Sequence, residues 1–108
     1  MAGDIFFSKH NWAASSWATF YVFDYLANHA PDASTKKKLS ELIENNIPML
    51  DLRDPENAQL VDILADDLPR NIPVLQDPQS QEGFATLLTE LIEYAREQQI
   101  ENREARRL

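Results

Sequence analysis

Six prolines cut this chain into lengths that suit helices and little else. Each stands where a helical stretch should begin or stop, and only two glycines, Gly3 and Gly83, are present to loosen the backbone elsewhere. Proline loses no hydrogen bond at the first position of a helix, but inside one it removes a bond and clashes with the preceding turn. The spacing therefore predicts a first helix over Asn11 to Asn28, closed by Pro31, and a second over Ser34 to Asn46, entered from Asp32 or Ser34. Asp54-Pro55 opens a third, which Pro69 ends, and Asp77-Pro78 opens a fourth, with Ser80 as the alternative cap.

Apolar spacing supports the same division. Leu39, Leu42 and Ile43, followed by Ile47, mark one face of the second helix, and Leu60, Val61, Leu64 and Leu68 mark the third. Phe84, Leu87, Leu88, Leu91, Ile92 and Ala95 recur at helical spacing in the fourth. Beyond Ala95 the stripe stops, although Arg96 to Arg107 stays rich in helix formers, so the last three turns should project beyond the core or fray. Ile5-Phe6-Phe7 fits a short strand, a helical turn or a plug over the core. No segment alternates at period two for long enough to build a sheet. The expected fold is all-α: one domain over residues 1–108, a bundle of about four main helices with a largely buried aromatic first helix and a long C-terminal helix.

Asn46-Ile47-Pro48-Met49-Leu50 recurs as Asn71-Ile72-Pro73-Val74-Leu75, and an Asp-Pro helix start follows each copy. A duplicated helix-linker unit and the reuse of one connecting chemistry both account for it. Helical repeats need about three units for stability, which favours reuse. Either way Ile47, Leu50, Ile72 and Leu75 should anchor the linkers to the core.

Charge is distributed very unevenly. Between Leu39 and Ala95 twelve carboxylates face two basic residues, Arg53 and Arg70, and lysine is wholly missing, while the flanks are nearly balanced and the whole carries −8. Such a field repels nucleic acid and anionic membrane and attracts basic protein surfaces. At 100° per residue Glu90, Glu93, Glu97, Glu101 and Glu104 fall within about 80° of one another, opposite the apolar stripe. Asp62 and Asp66 should likewise lie opposite Leu60, Leu64 and Leu68. Asp62, Asp66, Glu90, Glu93, Glu97 and Glu101 are thus the candidate partner-binding residues, with an ordinary solubilising face as the alternative.

Motifs for catalysis are scarce. Two glycines leave no phosphate loop or dinucleotide fingerprint, and the absence of cysteine removes thiol nucleophiles, disulfides and thiolate metal sites. His10 and His29 bracket the expected first helix, about 28 Å apart at 1.5 Å per residue, too far to act on one atom. Without Glu-x-x-His pairs or an EF-hand loop, no metal or cofactor is expected. Trp12, Trp17, Phe20, Tyr21, Phe23 and Tyr25 crowd six of the ten aromatics into 14 residues that contain no basic side chain, which suits a core helix better than a nucleic-acid platform. Aromatics on every side overfill one packing seam, leaving some for contact with a partner or a second copy. The start of the chain shows no basic leader with an apolar run, and its longest uncharged stretch, His10 to Phe23, is 14 residues against the roughly 20 of a spanning helix. No export signal is expected, and the expected location is the cytoplasm.

In overall character a short, cysteine-poor, strongly acidic chain expected to be all-helical resembles the bacterial immunity proteins that neutralise nuclease toxins, of the colicin-nuclease type or of contact-dependent growth inhibition. The adjacent tyrosine pair of the colicin-nuclease type is missing, so no family residue is carried across. The resemblance implies a non-enzymatic inhibitor that binds a basic toxin in the cytoplasm. The alternative is an acidic helical adaptor or regulatory subunit that self-associates through the aromatics of the first helix.

Overall fold

The all-α expectation is overturned by a three-stranded mixed sheet, which with four α-helices makes the fold α+β. The computed structural model describes residues 2–73 and 76–106. Strand β1 (Ala2–Phe6) pairs antiparallel with β2 (Asn11–Ser15) and parallel with β3 (Met49–Asp51), giving the order β2-β1-β3. The hairpin closes where the Phe7 amide donates to the His10 carbonyl at 2.8 Å. Ile5 opposes Trp12 on one side and Leu50 on the other, and this row is buried. Asn11, Ala13, Met49 and Asp51, on the opposite face, are exposed.

The first expected helix therefore starts five residues late. Asn11–Ser15 has no strong strand composition, but pairing with β1 buries Trp12 completely and lets its indole Nε1 donate to the Leu87 carbonyl at 2.9 Å. A helix begun at Asn11 would leave one edge of β1 unpaired in the interior, which costs more than local propensity returns. Helix α1 (Ser16–Asn28) begins instead at Ser15, whose hydroxyl accepts from the Ala18 amide at 3.3 Å. It lies so close to the sheet that a Cβ on Gly3 would fall 2.3 Å from Thr19 Oγ1.

Helix α2 (Ala33–Glu44) is capped by Asp32, which accepts from the Thr35 amide at 2.7 Å, and this bond holds its carboxyl below the usual range. Asn46, at φ 54°, ends the helix: the Asn46 amide donates to the Ile43 carbonyl and the Ile47 amide to the Leu42 carbonyl. Asparagine tolerates that left-handed position because its side chain is short and polar. Asp54 opens a single 3-10 turn (Pro55–Asn57), followed by α3 (Ala58–Asp62), a π turn (Ile63–Asp67) and a second 3-10 turn (Leu68–Arg70). Leu60, Val61, Leu64 and Leu68 are buried throughout this change of winding. Asp77, held below the usual carboxylate range by its bond from the Ser80 hydroxyl, precedes helix α4 (Pro78–Arg106).

Two further expectations need correction. The end of α4 does not leave the core at Ala95, because Gln98 and Gln99 continue its inner face and are buried. The two copies of the linker also fold differently: Met49 and Leu50 are strand, whereas residues 71–73 are a loop. Leu50 is buried and Ile72 half-buried against the core, but Ile47 is exposed, and Leu75 lies outside the described residues.

Gly3→Ala should lower stability by about 1–3 kcal/mol, the range for overpacking a tight contact. Urea unfolding measures this, and a variant as stable as the parent would place α1 off the sheet.

Candidate functional site

Helix α4 carries the acidic surface. Phe84, Leu88, Leu91, Ile92 and Ala95 turn inward, which leaves Glu82, Glu90, Glu93 and Glu97 exposed on the other side. Glu82, Ala85, Thr86, Thr89, Glu90, Glu93 and Tyr94 line a shallow depression of about 520 Å³ along this face. Thr86 and Thr89 each donate their hydroxyl to the carbonyl four residues earlier, at 2.9 and 2.8 Å. Their hydroxyls are thus engaged by the helix backbone.

The hairpin tip closes one end of this surface. The His10 ring stacks on Tyr94 with centroids 4.2 Å apart, and His10 Nε2 lies 2.5 Å from Glu97 Oε2. Beside it the Ser8 amide donates to Gln98 Oε1 at 2.8 Å. Desolvation, and then the charge of Glu90, push the Tyr94 phenol up, with smaller contributions from Glu93 and Glu97. Three of the predicted carboxylates thus act on one side chain.

Asp62 and Asp66 do not join them: Asp66 is exposed, as the α3 spacing suggests, and Asp62 is half-buried. Both accept from Gln99 Nε2, at 2.9 Å each, so they close the seam between α3, the π turn and α4. At 100° per residue Gln99 lies about 120° around α4 from Glu93 and about 160° from Glu97. The six predicted residues divide into Glu90, Glu93 and Glu97, exposed on α4 with Glu101 half-buried farther along it, and the pair at Gln99, of which Asp62 is half-buried and Asp66 exposed. Nothing in an apolar stripe announces Gln99. The signal lies in the i+3 and i+4 continuation from Ala95 through Gln98 and Gln99, once glutamine is admitted as a core residue.

His29 belongs to a second cluster. Its Nδ1 donates to the Tyr25 carbonyl at 2.8 Å, its ring stacks on Tyr25, and Nε2 lies 3.5 Å from Asp67 Oδ2. The Tyr25 hydroxyl donates to the same oxygen at 2.6 Å and accepts from Asn71 Nδ2 at 3.0 Å. Burial, then the bond to Asp67, push the Tyr25 phenol up to about 12. The cluster ties the end of α1 to the turn that follows the π segment. Sequence spacing places His10 and His29 apart, and the structure gives each its own tyrosine and carboxylate. Among the described residues, no group of three or more His, Asp or Glu side chains is arranged to hold a metal ion, and no helix is long and apolar enough to cross a membrane.

No family model, curated protein or solved structure matches this chain.

Two measurements follow from these contacts. Gln99→Ala should cost about 1–3 kcal/mol, because it removes the donor that both carboxylates face across the seam, whereas Glu93→Ala should be nearly neutral. Thermal unfolding of the two variants compares them directly. The Tyr25 phenol loses its proton near 10 when unfolded and near 12 when folded, so the folded state retains more protons between those values. Its contribution is complete below pH 10 and is lost as pH rises toward 12. Tyr25→Phe should flatten that alkaline fall in stability.

Proposed function

We propose that this protein is a non-enzymatic, acidic binder of a basic protein, acting as an immunity- or antitoxin-like inhibitor of a cytoplasmic toxin such as a nuclease. The observation that carries this reading is the exposed face of α4, where Glu82, Glu90 and Glu93 line a shallow depression and no basic residue occurs from Pro78 to Ala95. A rigid helix that presents carboxylates in this way can mimic a phosphate backbone and cover a cationic cleft. The sheet removes the all-helical part of the likeness to immunity proteins, so the reading rests on charge and its placement. Asp62 and Asp66 leave the proposed contact set, since their carboxylates face Gln99.

A second reading, self-association as an adaptor or regulatory subunit, draws on one observation: Trp17 is 59% exposed. Sedimentation at micromolar concentrations separates the two readings, because only self-association predicts a dimer that Trp17→Ala dissolves.

Capture from the native host followed by mass spectrometry should recover a basic protein. Reversing Glu90 and Glu93 to lysine should abolish its binding while the melting temperature stays within a few degrees of the parent. The parent's association rate should fall steeply with salt, since exposed charges are screened beyond about 8 Å at physiological ionic strength. Recovery of acidic partners alone, or binding indifferent to both reversal and salt, would sink the reading.

A further inference from the structure

Trp17 is exposed, yet it is held in place. Its ring lies 5.0 Å from Phe84 and 6.4 Å from Tyr21, and Tyr21 in turn meets Phe84 edge-on at 5.2 Å. Phe84 is buried, so a large indole surface stands in solvent on a core residue that fixes its position. Aromatic side chains already restrained in this way make strong anchors, because little side-chain freedom is left to lose on binding.

The surroundings indicate what the ring would meet. At 100° per residue Trp17, Tyr21, Asp24 and Asn28 share one face of α1, within about 60°. Asp24 is exposed, and its charge, after burial, helps to push the Tyr21 phenol up. Asn28 Nδ2 donates to its Oδ2 at 3.4 Å. Neither α1 nor α4 from Pro78 to Ala95 contains a basic residue. A second copy would bring another −8 to this face, so like charges oppose self-association here. A guanidinium suits both parts of the face: its plane stacks on the indole, and its charge is favoured beside a carboxylate.

We infer that the α1 face formed by Trp17, Tyr21 and Asp24 is a docking surface for an arginine-bearing segment of a basic protein, with one guanidinium stacked on Trp17 and a second cationic side chain at Asp24. The inference rests on the basic-partner reading and adds the anchor and its chemistry. Seven residues at 1.5 Å place Asp24 about 10 Å along the helix from Trp17, so the two cations should be separated by a similar distance.

Deca-arginine is the probe, titrated at low salt into the intact protein and followed by calorimetry, with deca-lysine alongside. The Trp17 contribution to fluorescence is read as the difference between parent and Trp17→Phe. Trp17→Ala should weaken deca-arginine binding about fivefold, Trp17→Phe should retain most of the affinity, and Asp24→Asn should weaken it and reduce its salt dependence. Deca-lysine should bind the parent less tightly than deca-arginine and should lose less on Trp17→Ala. Circular dichroism confirms that each variant keeps its helices. Equal affinity in parent and Trp17→Ala would overturn the anchor while leaving the acidic reading intact. Failure of the parent to bind either peptide would overturn both, and a parent dimer that Trp17→Ala dissolves would assign the face to self-association instead.

Discussion

A central strand has to be paired along both edges, and β1 holds this fold to that requirement. Its Ile5, Gly3 and Phe7 side carries no polar group, and the backbone beneath can reach water on neither edge. One edge is satisfied by the adjacent hairpin strand. The other is satisfied by β3, where the Asp4 amide donates to the Pro48 carbonyl and the Leu52 amide to the Phe6 carbonyl, both at 2.8 Å. Because β3 runs parallel to β1, the chain must cross over between them, and it does so through α1 and α2. The two helices that look from their composition like half of a bundle are thus the crossover of a sheet.

Winding changes elsewhere serve a similar satisfaction of polar groups. Along the π turn the adjacent residues Asp66 and Asp67 reach different elements, Gln99 on α4 and Tyr25 on α1. The Leu68 amide donates to the Ile63 carbonyl across this wider turn. Asp66 and Asp67 are here engaged in contacts between elements, as Glu97 is with His10, while Glu90 and Glu93 stand exposed on α4. Net charge alone does not separate the two groups.

Much of the helical part was legible in the sequence. Asp32, Asp54 and Asp77 all accept backbone amides at the start of a helical segment, and Leu60, Leu64, Leu68, Leu88 and Leu91 are buried as their spacing implies. Local chemistry fixes both features. The strands were less legible: β1 was one of three readings of Ile5-Phe6-Phe7, β2 was read as helix, and β3 is three residues long and finds its partner far away in the chain. Trp-Ala-Ala at the head of β2 is a sound helix sequence, and tertiary pairing overrides it. At the site, the solvent-facing glutamates of α4 followed from geometry, but the contact of Asp62 and Asp66 with α4 depends on a buried glutamine, which hydrophobic spacing passes over. Trp17 stayed hidden among six aromatics because its neighbours in space, unlike its neighbours in sequence, decide its exposure.

The indole bond from Trp12 to Leu87 also bears on how the chain is made. The hairpin leaves the ribosome before α4, and the carbonyl that receives its buried N–H is synthesised 75 residues later. Until then α1 can pack on this sheet face, but the part of it that α4 covers beside Trp12 stays open. Vectorial folding cannot complete this core piece by piece, and a nascent chain halted before α4 presents its stickiest surface to the cell.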